Sequence, residues 1–184
     1  MSILDVITRA SREPPFAPPD CPFPDLHEVC KVLRPVPWDR SRLEHQLGVE
    51  IPPDLAALWD ACGGLVLYED NKFRQGGLVV LSAADVVAEN VEYRKCRDDD
   101  AIQADLVFAK FWGDLELAMI RSDNAVGDYG SIVIVAEMDP RSEWHTAARN
   151  LEEFLMSFMD ARGEKYWGYH CKRKLAKRAK EQGR

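Results

Sequence analysis

No apolar run in these 184 residues approaches the roughly 20 that a membrane-spanning helix needs, which excludes a helical integral membrane protein. Cysteine is sparse and unpaired. Cys21, Cys30, Cys62, Cys96 and Cys171 form an odd set with no C-x-x-C spacing, and no apolar N-terminal h-region precedes them, so a reducing cytoplasm is the expected setting. Cys21, His27 and Cys30, with His170 and Cys171 far away, lack the tight pairs that grip a tetrahedral zinc ion. Catalytic signatures are missing too: Ser131 has no G-x-S-x-G elbow, and neither a phosphate-cradling G-x-x-x-x-G-K-[ST] nor an H-E-x-x-H is present. His145 beside Trp144 reads as a structural histidine near a strand end. Glu152 and Glu153 fit the first turn of a helix, where the macrodipole favours negative charge. The expectation is a domain that is not an enzyme and needs no cofactor or metal.

Charge is unevenly spread. The formal net charge is −7, yet residues 172–184 carry seven Lys and Arg against Glu181, so a tail of +6 leaves −13 on residues 1–171. Such a body repels phosphate backbones and attracts basic proteins through a long-range, salt-screened field. The tail has no interleaved aromatics for base stacking, so nucleic acid is not the expected partner.

Six of the eleven prolines fall between Pro14 and Pro24, marking residues 1–37 as an extended arm. A short helix from Ile3, Leu4 and Ile7 is expected before them, Phe16, Cys21 and Phe23 offer apolar anchors, and a helix is expected over Leu26 to Leu33. The domain proper is expected over 38–170, followed by the basic tail 171–184. Within it, Ser41 and Glu44 have capping-box spacing ahead of Gly48. Pro52 and Pro53 open a second helix, in which Leu55, Leu58, Trp59 and Cys62 form one stripe and Gly63 and Gly64 supply a left-handed stop. Strands are expected at Leu65 to Tyr68, Leu78 to Leu81, Leu106 to Trp112, Leu115 to Ile120, a central one at Ser131 to Val135 and an edge one at Trp144 to Ala147. Ser82 caps an inserted helix with Val86, Val87 and Val91 inward. Asn150 and Glu153 open a closing helix striped by Leu151, Phe154, Leu155, Phe158 and Met159.

The order of these pieces resembles the SUKH superfamily, which includes a yeast cell-wall-synthesis regulator and many bacterial toxin-immunity proteins. The residues that carry the likeness are Leu47 to Leu55, Trp59 with Gly63 and Gly64, Gly77 and Leu78 with Leu81, Phe108 to Asp114, Gly130 to Val135, and Leu151 to Leu155. The resemblance implies a single α+β domain, a mixed and mostly antiparallel sheet with helices packed around it. It also implies a binding scaffold, since the family offers no universal catalytic motif. A protein partner is therefore expected, a basic toxin domain neutralised by occlusion, with a regulatory adaptor as the alternative.

The acidic residues expected to meet that partner are Glu69, Asp70, Asp98, Asp99, Asp100 and Asp114. Three adjacent carboxylates at 98–100 cannot easily converge on one metal ion, so a solvated loop or a protein contact is the reading there. Trp112 and Trp144 sit where strands give way to loops. Tryptophan at such places is more often core than interface, and Trp112 is the candidate anchor if the surface is built there.

Overall fold

The computed structural model describes residues 2–18, 21–97, 101–125, 127–136 and 139–167. Seven strands form one sheet: β1 (Glu28–Val32), β2 (Leu65–Asp70), β3 (Leu78–Val80), β4 (Asp105–Phe111), β5 (Glu116–Arg121), β6 (Ile132–Ala136) and β7 (His145–Ala148). They lie side by side in chain order and every neighbouring pair is antiparallel, so the mixed sheet expected is a meander throughout. β6, expected at the centre, is second from the edge. Its buried faces explain the run of β-branched residues without a central position.

The helices are α1 (Ile3–Arg12), α2 (Arg40–Leu47), α3 (Pro53–Ala61), α4 (Val86–Cys96) and α5 (Leu151–Asp160). α2 is capped by Asp39, whose side chain accepts from the Arg42 amide at 2.7 Å, two residues before the Ser41 expected. Glu44 is thereby free to pair with Arg40 and to accept from the Ile51 amide, which ties α2 to the entry of α3. In α3, Leu55, Leu58 and Trp59 are buried as the stripe requires, and the Trp59 indole donates to Leu81 O at 2.8 Å. Gly63 and Gly64 serve close approach more than helix termination. A Cβ on Gly63 would lie 2.1 Å from Arg34 O, and one on Gly64 2.5 Å from Val80 O.

α4 corrects one expectation about its inward face. Val91 is 44% exposed, while Asn90 and Tyr93 are buried. Asn90 wins the inward position because its amide satisfies backbone that β4 leaves open. Its Nδ2 donates to Val86 O and Val107 O at 2.8 Å each, and its Oδ1 accepts from the Val107 amide at 2.9 Å. α5 is capped by Asn150 and buries all five residues of its stripe. A register shift in β4 between Val107 and Ala109 lets Phe108 and Phe111 both meet rings of α5, while Lys110 pairs with Glu89 of α4. β4 is thus covered by α5 on one face and α4 on the other.

The first 37 residues contribute two elements. α1 buries Ile3, Val6 and Ala10 and contacts α3, α5 and β1, whereas Leu4, expected on its apolar face, points outward. The helix expected over 26–33 is the strand β1, paired with β2. Val29, Cys30 and Val32 are too few for a helical stripe, but they suit a half-buried edge. Phe16 exchanges two backbone bonds with Glu28 and so covers that edge at one point.

Asn90→Ala strips three hydrogen bonds from buried backbone and leaves a small void. It is expected to lower the unfolding free energy by about 2–4 kcal/mol in urea titration. A loss below about 0.5 kcal/mol would show that these bonds contribute nothing net.

Candidate functional site

The antiparallel order brings the β2–β3 turn (71–77) and the β4–β5 turn (112–115) to the same end of the sheet. They are joined: Gly76 N donates to Trp112 O at 2.9 Å, and Trp112 N donates to Gly77 O at 3.2 Å. Asp70 builds the first turn. Its carboxylate accepts from the amides of Lys72, Phe73 and Gln75 at 3.0, 2.5 and 2.8 Å. Partial burial pushes this carboxyl up, but the backbone donors outweigh burial and hold it below its ordinary value. Gly113, at φ +78, lets the second turn reverse in few residues.

On this joined end four large apolar side chains face outward: Leu115 at 60% exposure, Phe73 at 51%, Trp112 at 46% and Phe23 at 44%. Phe23 and Phe73 meet edge to face with ring centroids 5.5 Å apart, and the Lys72 ammonium lies 5.2 Å and 5.7 Å from their centres. Trp112 is exposed because Phe111, the last residue of β4, takes the final core position against Phe158 and Trp167. The core reading of Trp112 is corrected accordingly. Asp114 stands beside it, 2.7 Å from Lys165, whose ammonium also reaches Glu116 at 3.0 Å.

The acidic residues expected to act together are divided. Asp114 and Asp70 belong to this end, though Asp70 is occupied by its own turn. Glu69 is buried, and its carboxylate pairs with Lys31 of β1, so it presents no charge to solvent. Asp98, Asp99 and Asp100 lie outside the described residues, as does the basic tail. The surface is therefore apolar with a mixed rim of Lys72, Arg74, Asp114 and Lys165. Sequence reasoning missed Phe73 and Leu115. The one available signal was an aromatic ring between Lys72 and Arg74, in a turn with no apolar periodicity.

Trp144 is half-buried, and its indole donates to Asp139 O at 3.3 Å. The guanidinium of Arg141 lies 4.7 Å from its ring centre and that of Arg97 5.6 Å. It serves packing. Among the described residues the buried Asp105 has both carboxylate oxygens taken, by Arg121 and Arg141, leaving none to act on a substrate. His145 is exposed and lines a small hollow of about 150 Å³ with Glu143 and Lys165. Among the described residues no three His, Cys, Asp or Glu side chains are placed to hold a metal ion, and no helix is long and apolar enough to cross a membrane. Burial pushes the Cys30 thiol up to about 11, which keeps it protonated and unreactive near neutral pH.

Because the folded Asp70 carboxyl titrates below its unfolded value, it stabilises the fold above the unfolded pKa of about 3.9. That contribution is lost as pH falls through the lower folded value. Wild type is therefore expected to be more stable than Asp70→Asn at pH 7, with the gap closing below about pH 4. A gap in denaturant midpoint that stays constant from neutral to strongly acid pH would contradict this.

Residues 37–157, about two thirds of the chain, match the SMI1 / KNR4 family (SUKH-1). The match runs from just before Trp38 into α5 and includes both turns of the exposed surface. No match is found among curated proteins.

Proposed function

The chain belongs to the SMI1 / KNR4 family (SUKH-1), whose domains are generally of the immunity-protein type and non-enzymatic, and we propose that it neutralises a toxin protein by binding it. The observation that carries this reading is the exposure of four large apolar side chains, Phe23, Phe73, Trp112 and Leu115, at the sheet end where two turns bond to each other. Exposed apolar side chains gathered in one place, with a charged rim, are the usual anatomy of a protein contact. Trp112 is the anchor, a large rigid side chain set between two turns whose backbones bond to each other. Such preorganisation lowers the ordering cost of binding.

The mechanism is occlusion. The sheet end seats on the toxin and covers the surface through which the toxin acts, with no covalent step. The −13 on residues 1–171 adds a field that draws in a basic partner, which suits a nuclease or another toxin that acts on nucleic acid.

Co-expression with the toxin encoded beside this chain is expected to restore growth. Trp112→Ala is expected to weaken the complex by about 30-fold or more while leaving thermal stability nearly unchanged, because the side chain is exposed at a turn. Full protection and unchanged affinity in that variant would refute the placement of the anchor. Failure of the wild type to bind any neighbouring toxin would refute the function.

A further inference from the structure

The stretch from Arg12 to Pro18, REPPFAP, joins the end of α1 to the bridge that Phe16 makes with Glu28 of β1. Pro14, Pro15 and Pro18 have φ fixed at about −65°, and Glu13, Pro14 and Ala17 each precede a proline, which drives them to extended conformations. Glu13 stands at φ −62 and ψ 119, and Phe16 is extended in its bridge. The local rules therefore set residues 13–18 in a polyproline helix, left-handed with three residues per turn.

The three edges of that helix are not equivalent. Glu13 and Phe16 share the edge that meets the domain. The Glu13 carboxylate turns back to Arg9 Nε at 3.8 Å, and the Arg162 guanidinium lies 4.9 Å from the Phe16 ring centre. Pro14 and Ala17, both exposed, form the second edge. Pro15, exposed, and Pro18, half-buried, form the third and lie one turn, about 9 Å, apart. Arg12 comes three residues before Pro15; it is exposed, and among the described residues it forms no ion pair.

Two outward edges with a cation at one end are the display that a proline-reading domain grips. The pairs Pro14-Pro15 and Ala17-Pro18 have the spacing to enter two slots between aromatic rings, and the residue between the pairs must then point away. That residue is Phe16, the one held against its own domain. We propose that Arg12–Pro18 docks into a folded partner domain of the SH3 type, whose groove of aromatic rings takes the two pairs and whose carboxylate pocket takes Arg12. The prolines pre-set the backbone and Phe16 anchors it, so little freedom is lost on docking. Arg12 sets the direction of the chain in the groove, because the carboxylates lie at one end of it. The site does not rest on the toxin reading, and its test needs no toxin.

A 15N-labelled SH3 domain that takes arginine-first proline ligands is titrated with the full-length chain. Saturable shifts of its groove residues are expected, with a dissociation constant below about 1 mM. Arg12→Ala is expected to weaken the contact about tenfold or more, and so is Pro15→Ala combined with Pro18→Ala, each variant keeping the wild-type circular dichroism spectrum. Trp112→Ala is expected to leave it unchanged. No saturable shift with about 1 mM chain would overturn the site. So would undiminished binding in Arg12→Ala or in the double proline variant, or binding lost in Trp112→Ala.

Discussion

The exposed end of this molecule depends on the seam where α5 lies across β2 and β4. Phe154 meets Phe108 with ring centroids 6.1 Å apart, and Phe158 meets both Phe111 and Tyr68 at 6.0 Å. Trp167 closes the group, 5.4 Å from Phe111 and 5.7 Å from Phe154. Tyr68 is held at φ +59, a left-handed conformation that costs a non-glycine residue about 1–3 kcal/mol. The seam offsets that cost. The Tyr68 hydroxyl donates to Met159 O at 3.0 Å, and Gly163, also at positive φ, leaves room for the ring where a Cβ would come within 2.8 Å of Tyr68 Cβ. Burial pushes the phenol above its ordinary range, so it remains a donor.

This seam sets the border between core and surface. Phe111 is the last side chain of β4 that the rings of α5 can cover, so the next residue, Trp112, passes out to solvent. The β2–β3 turn is fixed at the same border by Asp70 and by its two backbone bonds to Trp112. An apolar patch is then carried on two turns that bond to each other, with Phe23 of the N-terminal arm against Phe73. Nothing comparable is assembled for catalysis among the described residues. The most buried carboxylate, Asp105, is saturated by two guanidinium groups, and the exposed His145 sits on an edge strand beside a small hollow.

Much of this was readable in the chain, for identifiable reasons. α3 and α5 carry full-period apolar stripes with a proline entry or an asparagine cap, and both formed where expected. The strands of the meander are runs of β-branched and apolar residues divided by glycine and polar turns. The failures share one cause, which is that local pattern yields to pairing with distant residues. Val29, Cys30 and Val32 became a strand because β2 offered an open edge. Asn90 displaced Val91 from the core because the backbone of Val107 needed its amide. The acidic surface was the least legible feature. Glu69 and Asp70 are adjacent in sequence, but successive side chains on a strand point to opposite faces. One became a buried partner of Lys31 and the other the frame of a turn, which left the aromatic and aliphatic side chains around Trp112 to define the surface.

The central claim is that this sheet end binds a protein and that binding alone is the function. Hydrogen–deuterium exchange of the chain with and without the toxin encoded beside it tests this most directly. The account predicts slowed exchange at residues 71–77 and 112–115, with the toxin recovered chemically intact. Protection confined to α2 and α4 with those turns unchanged, or a toxin covalently altered after incubation, would contradict it.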